Sequence, residues 1–398
     1  MTNQLAFTQF CSAVRRKGGL ALCLALCTLG LGLSASAQRP TITTFDAPHA
    51  GTNGTSPHFQ GTLPISINLL GTIVGFTRDA GDVRHGFLRD PDGDFTTFDV
   101  TAAGTGAFQG TRAYTLNDKG ASTGYYTDTH GVNHGYVRAP NGGITTFDAV
   151  PVTGLTSTQG TQAYTINLAG TIAGYYLDQL NEFHGFVRSP SGAITTFDVG
   201  PVAPGSFNGT STPQSSGLNN KGAITGSYAD LSGVSHGYVR APNGGITTFD
   251  AVPVTGLTTG QGTFPSSIND AGAILGFYQD VSNVLHGFVR SAGGTITTFD
   301  LLGAGTAAFQ GTSPSTVNAL GAIVGITFDA SNVSHGFVPA AGGGFTTFDV
   351  PATASHGVPG AGTGAFQGTF PIGNNLEGQM TGYYIDSNGV YHGFVLTP

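Results

Sequence analysis

Seven histidines each stand directly before a Gly-Phe or Gly-Tyr pair, at His85, His134, His184, His236, His286, His335 and His392. Each follows an aspartate by six residues: Asp79, Asp128, Asp178, Asp230, Asp280, Asp329 and Asp386. A second aspartate closes every copy of Thr-Thr-Phe-Asp, at positions 46, 99, 148, 198, 250, 300 and 349. An imidazole among carboxylates can move protons, hold a divalent cation or tie down a turn, and paired carboxylates can hydrolyse glycosides. Repetition weighs against catalysis, because a catalytic group is needed once and these recur seven times. Asp at the head of a turn accepts backbone N–H bonds, and a His opening the next strand can bond a nearby Asp and lock the hairpin. The repeated Asp and His are therefore read as structural turn residues. A divalent cation is a minor alternative, since loops such as DAGDVRH, DTHGVNH and DSNGVYH do not reproduce calcium-loop spacing.

Two other sets are candidates for binding. Gln60, Gln109, Gln159, Asn208, Gln261, Gln310 and Gln367 each precede Gly-Thr, and their amides offer donors and acceptors together, as a sugar or peptide requires. The competing role for them is to hold an incoming loop through its backbone. His49, His58 and His356 lie outside the repeated position, and three imidazoles brought together would suit zinc or copper. No nucleophile elbow, zinc-protease helix, phosphate loop or dinucleotide fingerprint occurs, so no catalytic residue is nominated and no cofactor is expected.

The elements that must position these residues are repeats. The Thr-Thr-Phe-Asp aspartates are spaced by 53, 49, 50, 52, 50 and 49 residues. A third marker is an Asn three residues before a Gly, at Asn68, Asn117, Asn167, Asn219, Asn269, Asn318 and Asn375. Between the markers run short stretches rich in Thr, Ile, Val, Tyr and Phe, punctuated by Asn, Gly and Pro, which read as four strands per unit. Units of this size and strand count predict an all-β fold, a seven-bladed β-propeller of four-stranded blades. The last unit has only three strands, while TITTFD at 41–46 stands alone at the other end. Pairing that strand beside His392 would complete the last blade, close the ring and remove two exposed edges. Glycines inside each second strand, such as Gly124, Gly174 and Gly276, are expected where another sheet packs closely.

The pattern N-x-x-G-x-I-x-G-x-Y-x-D, then H-G-F-V, then G-x-I-T-T-F-D resembles the bacterial extracellular HAF repeats, with Gly86, Gly135 and their counterparts in place of the family's Ala. The resemblance implies an exported repeat protein. It brings no catalytic residues to carry over.

Residues 1–37 combine Arg15, Arg16 and Lys17 with an apolar run and a small-residue site ending at Ala37, the pattern of a secretory signal peptide. All three cysteines lie within it, so residues 38–398 form a single domain held without disulfides, secreted or periplasmic, with no membrane span after cleavage. Without the leader's three basic residues, 11 Lys and Arg face 22 acidic residues, a net charge of −11 that excludes nucleic acid as a natural partner. The propeller topology places fourteen aspartates on one face, the top. The reading that follows is a binding or surface-interaction module for an extracellular glycan or cell-surface protein, acting through that acidic face. Its rivals are an extracellular polysaccharide hydrolase or lyase using top-face Asp and His, and a structural envelope or matrix protein.

Overall fold

The computed structural model describes residues 40–398 apart from 57, 201–208, 214, 215, 341, 342 and 352–358. The leader expected at 1–37, Asn208 and His356 lie outside the described residues. The described residues form 28 strands in one hydrogen-bonded sheet, and no helix.

The first strand, β1 (Thr41–Phe45), is followed by β2 (Gly61–Ile67), β3 (Ile73–Arg78), β4 (Arg84–Arg89) and β5 (Phe95–Phe98). β2, β3, β4 and β5 pair antiparallel in chain order. The same meander recurs along the chain to Phe345–Phe348. Its first turn shows why the Asn marker repeats. The Asn68 side chain accepts from Thr72 N at 2.9 Å while its carbonyl takes Gly71 N at 3.1 Å, and Gly71 sits at φ 82°, where a side chain would be strained.

The strand at 41–46 does what its sequence position predicts. β1 lies antiparallel beside Tyr391–Thr397, from Thr41 opposite Thr397 to Phe45 opposite Gly393. Neighbouring meanders are joined by single parallel bridges between the residue before each His and the next Gln-Gly glycine, for example Arg84 with Gly110 and Ser235 with Gly262. The bridge between Tyr391 and Gly61 brings the end of the chain back to its beginning.

A second circuit runs through the asparagines. Each Nδ2 donates to the carbonyl of the next marker Asn, from Asn68 through Asn117, Asn167, Asn219, Asn269, Asn318 and Asn375, and Asn375 returns to Asn68 at 3.0 Å. These asparagines are buried around a central cavity of about 250 Å³. A circuit closed on itself leaves no buried amide of the set unmatched.

The apolar core lies between meanders. In five units the Phe of Thr-Thr-Phe-Asp meets an aromatic ring of the following meander edge-on, as Phe98 does Tyr136 at 6.2 Å, Phe147 does Phe186 at 6.0 Å and Phe249 does Phe288 at 6.1 Å. Such pairs contribute about 0.5–1.5 kcal/mol beyond area burial. An arginine caps the same ring from the next meander: Arg89 over Phe45, Arg138 over Phe98, Arg188 over Phe147, Arg240 over Phe197 and Arg290 over Phe249, all within 5.0 Å.

The second-strand glycines have a different cause from the one their sequence suggests. A Cβ on Gly124 would meet the Arg112 carbonyl and the Tyr136 hydroxyl, both in the same meander. The innermost strand bulges there, its register shifting between Ala113 and Thr115. The crowding comes from within one sheet, where the bulge pushes a carbonyl at the glycine.

Candidate functional site

Each repeated His lies between two carboxylates on the face that carries the turn between the second and third strands. Nδ1 contacts the Asp of Thr-Thr-Phe-Asp: His85 with Asp99 at 2.8 Å, His134 with Asp148 at 2.9 Å, His184 with Asp198 at 2.8 Å, His236 with Asp250 at 2.8 Å, His286 with Asp300 at 3.0 Å, His335 with Asp349 at 2.9 Å and His392 with Asp46 at 3.0 Å. Nε2 faces the Asp that ends strand two, at 3.3 Å in His236 and Asp230 and 3.7 Å in His184 and Asp178. That second Asp also caps its turn, Asp128 Oδ1 taking the N–H groups of His130 and Val132 at 2.8 Å each. In five units a Tyr stacks on the imidazole, as Tyr126 does on His134 at 4.9 Å.

The carboxylates favour the imidazolium. At His85 and His184 the hydrogen bond to Asp99 or Asp198 raises the imidazole's affinity for its proton. At His134, His335 and His392 burial opposes the charge, and the flanking carboxylates overcome it. At these five positions the cluster is therefore an opposite-charge lock between strand ends, which blunts the acidity expected of this face.

The glutamines turn toward the loops that enter the innermost strands. Gln60, Gln159, Gln261 and Gln310 are buried. Oε1 accepts from a loop N–H, as in Thr156 to Gln159 at 2.7 Å, Gly106 to Gln109 at 2.9 Å and Gly364 to Gln367 at 2.9 Å. Nε2 donates to the neighbouring turn, as from Gln159 to Gln179 O at 3.2 Å and from Gln261 to Val281 O at 3.2 Å. In Gln60, Gln159, Gln261 and Gln310 both ends of the amide are thus occupied by the chain itself. His58 bonds Asp82 at 2.5 Å, whereas His49 sits in a turn at φ 67°. The group among the described residues with metal-ligating spacing is instead Asp178, Glu182 and His184, and neither His49 nor His58 belongs to it.

What the glutamines hold in place is the residue before them. Phe59, Phe108, Phe309 and Phe366 occupy that position with φ between 42° and 66°. They are 41%, 41%, 60% and 62% exposed. A positive φ is a genuine outlier for a bulky residue and costs on the order of 1–3 kcal/mol. The backbone wants glycine here, and the fifth unit has it, Gly260 at φ 85°. The conformation is imposed from both sides: the Phe309 and Phe366 N–H groups each bond a neighbouring turn at 2.7 Å, while the following Gln fixes the loop.

One unrepeated cluster lies beside Phe108. Arg78 and Arg84 are directly opposite on β3 and β4. Their guanidinium carbons lie 5.5 and 5.7 Å from the centre of the Phe108 ring. Arg84 donates to the Phe108 carbonyl, which Arg112 Nη2 also approaches at 3.5 Å, and Arg78 donates to the His58 carbonyl. Burial, with Arg112 and Arg78 adding repulsion, pushes Arg84 down to about 9. Burial alone would raise the Asp82 carboxyl, but bonds from His58 and Gln60 and the nearby Arg78 bring it below the usual range.

No protein-family model and no curated protein matches this chain. Similar solved structures include AofleA from Arthrobotrys oligospora, 10% identical with a TM-score of 0.44, covering 78% of this chain and 90% of that one. A mutant of the Aleuria aurantia lectin in complex with Fucα1-6GlcNAc is 12% identical with a TM-score of 0.41, covering 79% of this chain and 99% of that one. A puromycin hydrolase is 11% identical with a TM-score of 0.46, covering 84% of this chain and 52% of that one. No helix among the described residues is long and apolar enough to cross a membrane.

Proposed function

We propose that this chain is an exported binding module for an extracellular glycan, built as a seven-bladed β-propeller whose last four-stranded blade is completed by β1. The leader pattern of residues 1–37 and the resemblance to HAF repeats support export. The observation that carries the binding role is the set of exposed phenylalanines held in left-handed backbone conformations at one repeat position. Sugar rings bury their C–H faces on aromatic rings, and a platform repeated around one face suits a polymer of repeating units. Strain kept at an exposed position, where it adds little to the core, marks a surface selected for contact.

The test is a binding screen of extracellular polysaccharides with the purified protein and the double variant Phe309→Gly, Phe366→Gly. A neutral polysaccharide that binds the parent and is lost or weakened at least tenfold in the variant supports the reading. Undiminished binding would remove the aromatic platform from it.

A further inference from the structure

Two residues of the first unit occur at their repeat positions once each, and they meet. The left-handed position of the turn between the second and third strands holds Asp82 at φ 62°, where the other units place Gly131, Asn181, Gly233, Asn283, Asn332 and Gly389. Two residues before the repeated Gln stands His58, where the other described units have Ala107, Ser157, Thr259, Ala308 and Ala365. His58 Nδ1 lies 2.5 Å from Asp82 Oδ2.

Holding the loop does not require this pair. Gln60 already takes Asn53 N at 3.1 Å and donates to Ala80 O at 3.2 Å, and the His58 N–H bonds Thr55 O at 2.8 Å. Asparagine serves the same turn elsewhere, Asn181 accepting from Gln159 and Asn283 from Gln261 at 3.1 Å each. What Asp82 adds is a charge and a second acceptor, suited to an imidazole N–H. The Asp82 residue is 4% exposed, and its other oxygen takes Gln60 Nε2 at 3.0 Å, so the carboxylate is fixed behind the ring. Each repeated histidine has a carboxylate at both nitrogens, as His85 and His184 do, whereas the one bonded to His58 among the described residues is Asp82. The His58 side chain is 40% exposed and lines an open depression of about 560 Å³ together with Thr52, Asn53 and Gln60.

From this geometry we infer that His58 is a general base, with Asp82 as its positioning residue, in a hydrolytic site for an ester carried by a sugar, such as an O-acetyl group. With Nδ1–H donating to Asp82, the Nε2 lone pair serves a water in the depression. Nε2 takes a proton from that water as the water oxygen bonds the acyl carbon. The tetrahedral intermediate then breaks its C–O bond to the sugar, and the imidazolium gives the proton to the leaving alkoxide, so that the products are a carboxylic acid and a free hydroxyl. Asn53 is the donor for the developing oxyanion: its Oδ1 accepts from Thr55 N at 3.0 Å and Thr55 Oγ1 at 2.6 Å, which leaves Nδ2 for the acyl oxygen. An ester fits because one imidazole acts first as base and then as acid at one place, whereas glycoside cleavage needs two carboxylates flanking the bond. The chemistry is independent of the phenylalanine platform; the sugar as carrier rests on the glycan-binding reading.

The experiment follows release of acetate from acetylated xylan and of 4-nitrophenol from 4-nitrophenyl acetate by the purified protein. His58→Ala copies Ala107 and Asp82→Asn copies Asn181, so both variants should melt within a few degrees of the parent. The parent should turn over both esters, with the rate falling about 100-fold or more in His58→Ala and partly restored there by added imidazole. Asp82→Asn should lower kcat at least about tenfold with KM unchanged, a split that a purely structural contact would not produce. Asn53→Ala should lower kcat about 100-fold. No release from either ester, or equal rates in the parent and His58→Ala, would overturn the inference. Turnover of 4-nitrophenyl acetate alone would keep the base and overturn the sugar ester. Glycan binding without hydrolysis would sink the hydrolytic site and leave the binding reading standing, while hydrolysis of 4-nitrophenyl acetate with no glycan bound would do the reverse.

Discussion

His392 Nδ1 lies 3.0 Å from both carboxylate oxygens of Asp46, across 346 positions of sequence. It is the same contact that the other six units make within 14 residues, here supplied by the two ends of the domain. Deleting residues 38–46 should therefore do more than remove a strand. It strips Arg89 of the Phe45 ring, uncovers Gly393 and leaves His392 with Asp386 alone. Burial of Phe45 by itself contributes about 1.5–3 kcal/mol, and the lost strand pairing adds to it. Thermal melting should fall by several degrees or more, and an unchanged melt would rule out closure through this strand.

The same histidines set the pH dependence. The folded proton affinity is raised at His85, His134, His184, His335 and His392. A raised group gives stability that is fully present below the unfolded value, near 6.5, and is lost as pH rises through the folded value. Asp128, Asp230 and Asp329 are depressed, despite burial, by hydrogen bonds from their turns and histidines, and their contribution disappears as pH falls through their folded values. Melting temperature should peak between these windows, in mildly acidic solution, and decline toward pH 8. In His134→Gln the alkaline decline should flatten. A melt that rises steadily from pH 6 to 8 would contradict the lock.

The asparagine circuit makes a sharper demand. Asn167 takes Ala169 N and Thr171 N on Oδ1 and gives Nδ2 to the Asn219 carbonyl at 3.1 Å. Asn167→Asp keeps the acceptor and its size but points a carboxylate at that buried carbonyl. The loss should be about 1–3 kcal/mol by urea denaturation, with Asn167→Ala costing a similar amount through three unmade bonds. Little change in Asn167→Asp would mean the circuit is not a structural ring.

The ring-closing strand, the strand order and the His and Asp contacts were legible in the sequence because tandem repetition displays each packing constraint seven times. The phenylalanines were not, although they adjoin the glutamines. Phe59 and Phe108 look like ordinary core residues until their φ is known, and the available signal was that one unit places Gly260 where others place Phe. The arginines were harder still: Arg78, Arg84 and Arg112 come from three strands of two units, and only the strand register brings them together. The second-strand glycines were read correctly as crowded, but a bulge such as that at Ala113 and Thr115 leaves no pattern that distinguishes it from a neighbouring sheet.

The strain at the phenylalanines separates stability from binding. Phe309 and Phe366 are more than half exposed and sit at φ 65° and 64°. Glycine at those positions removes a cost on the order of 1–3 kcal/mol and adds about 0.5–1 kcal/mol of chain entropy to the unfolded state. The Phe309→Gly, Phe366→Gly variant should therefore melt at the parent's temperature or slightly above it while binding glycan less well. Replacing an ordinary packing residue would do the opposite, as Phe394→Ala should cost about 3–5 kcal/mol from a fully buried position. If the glycine variant melts several degrees lower, the phenylalanines are packing residues that happen to be exposed, and the strain argument for a binding surface fails.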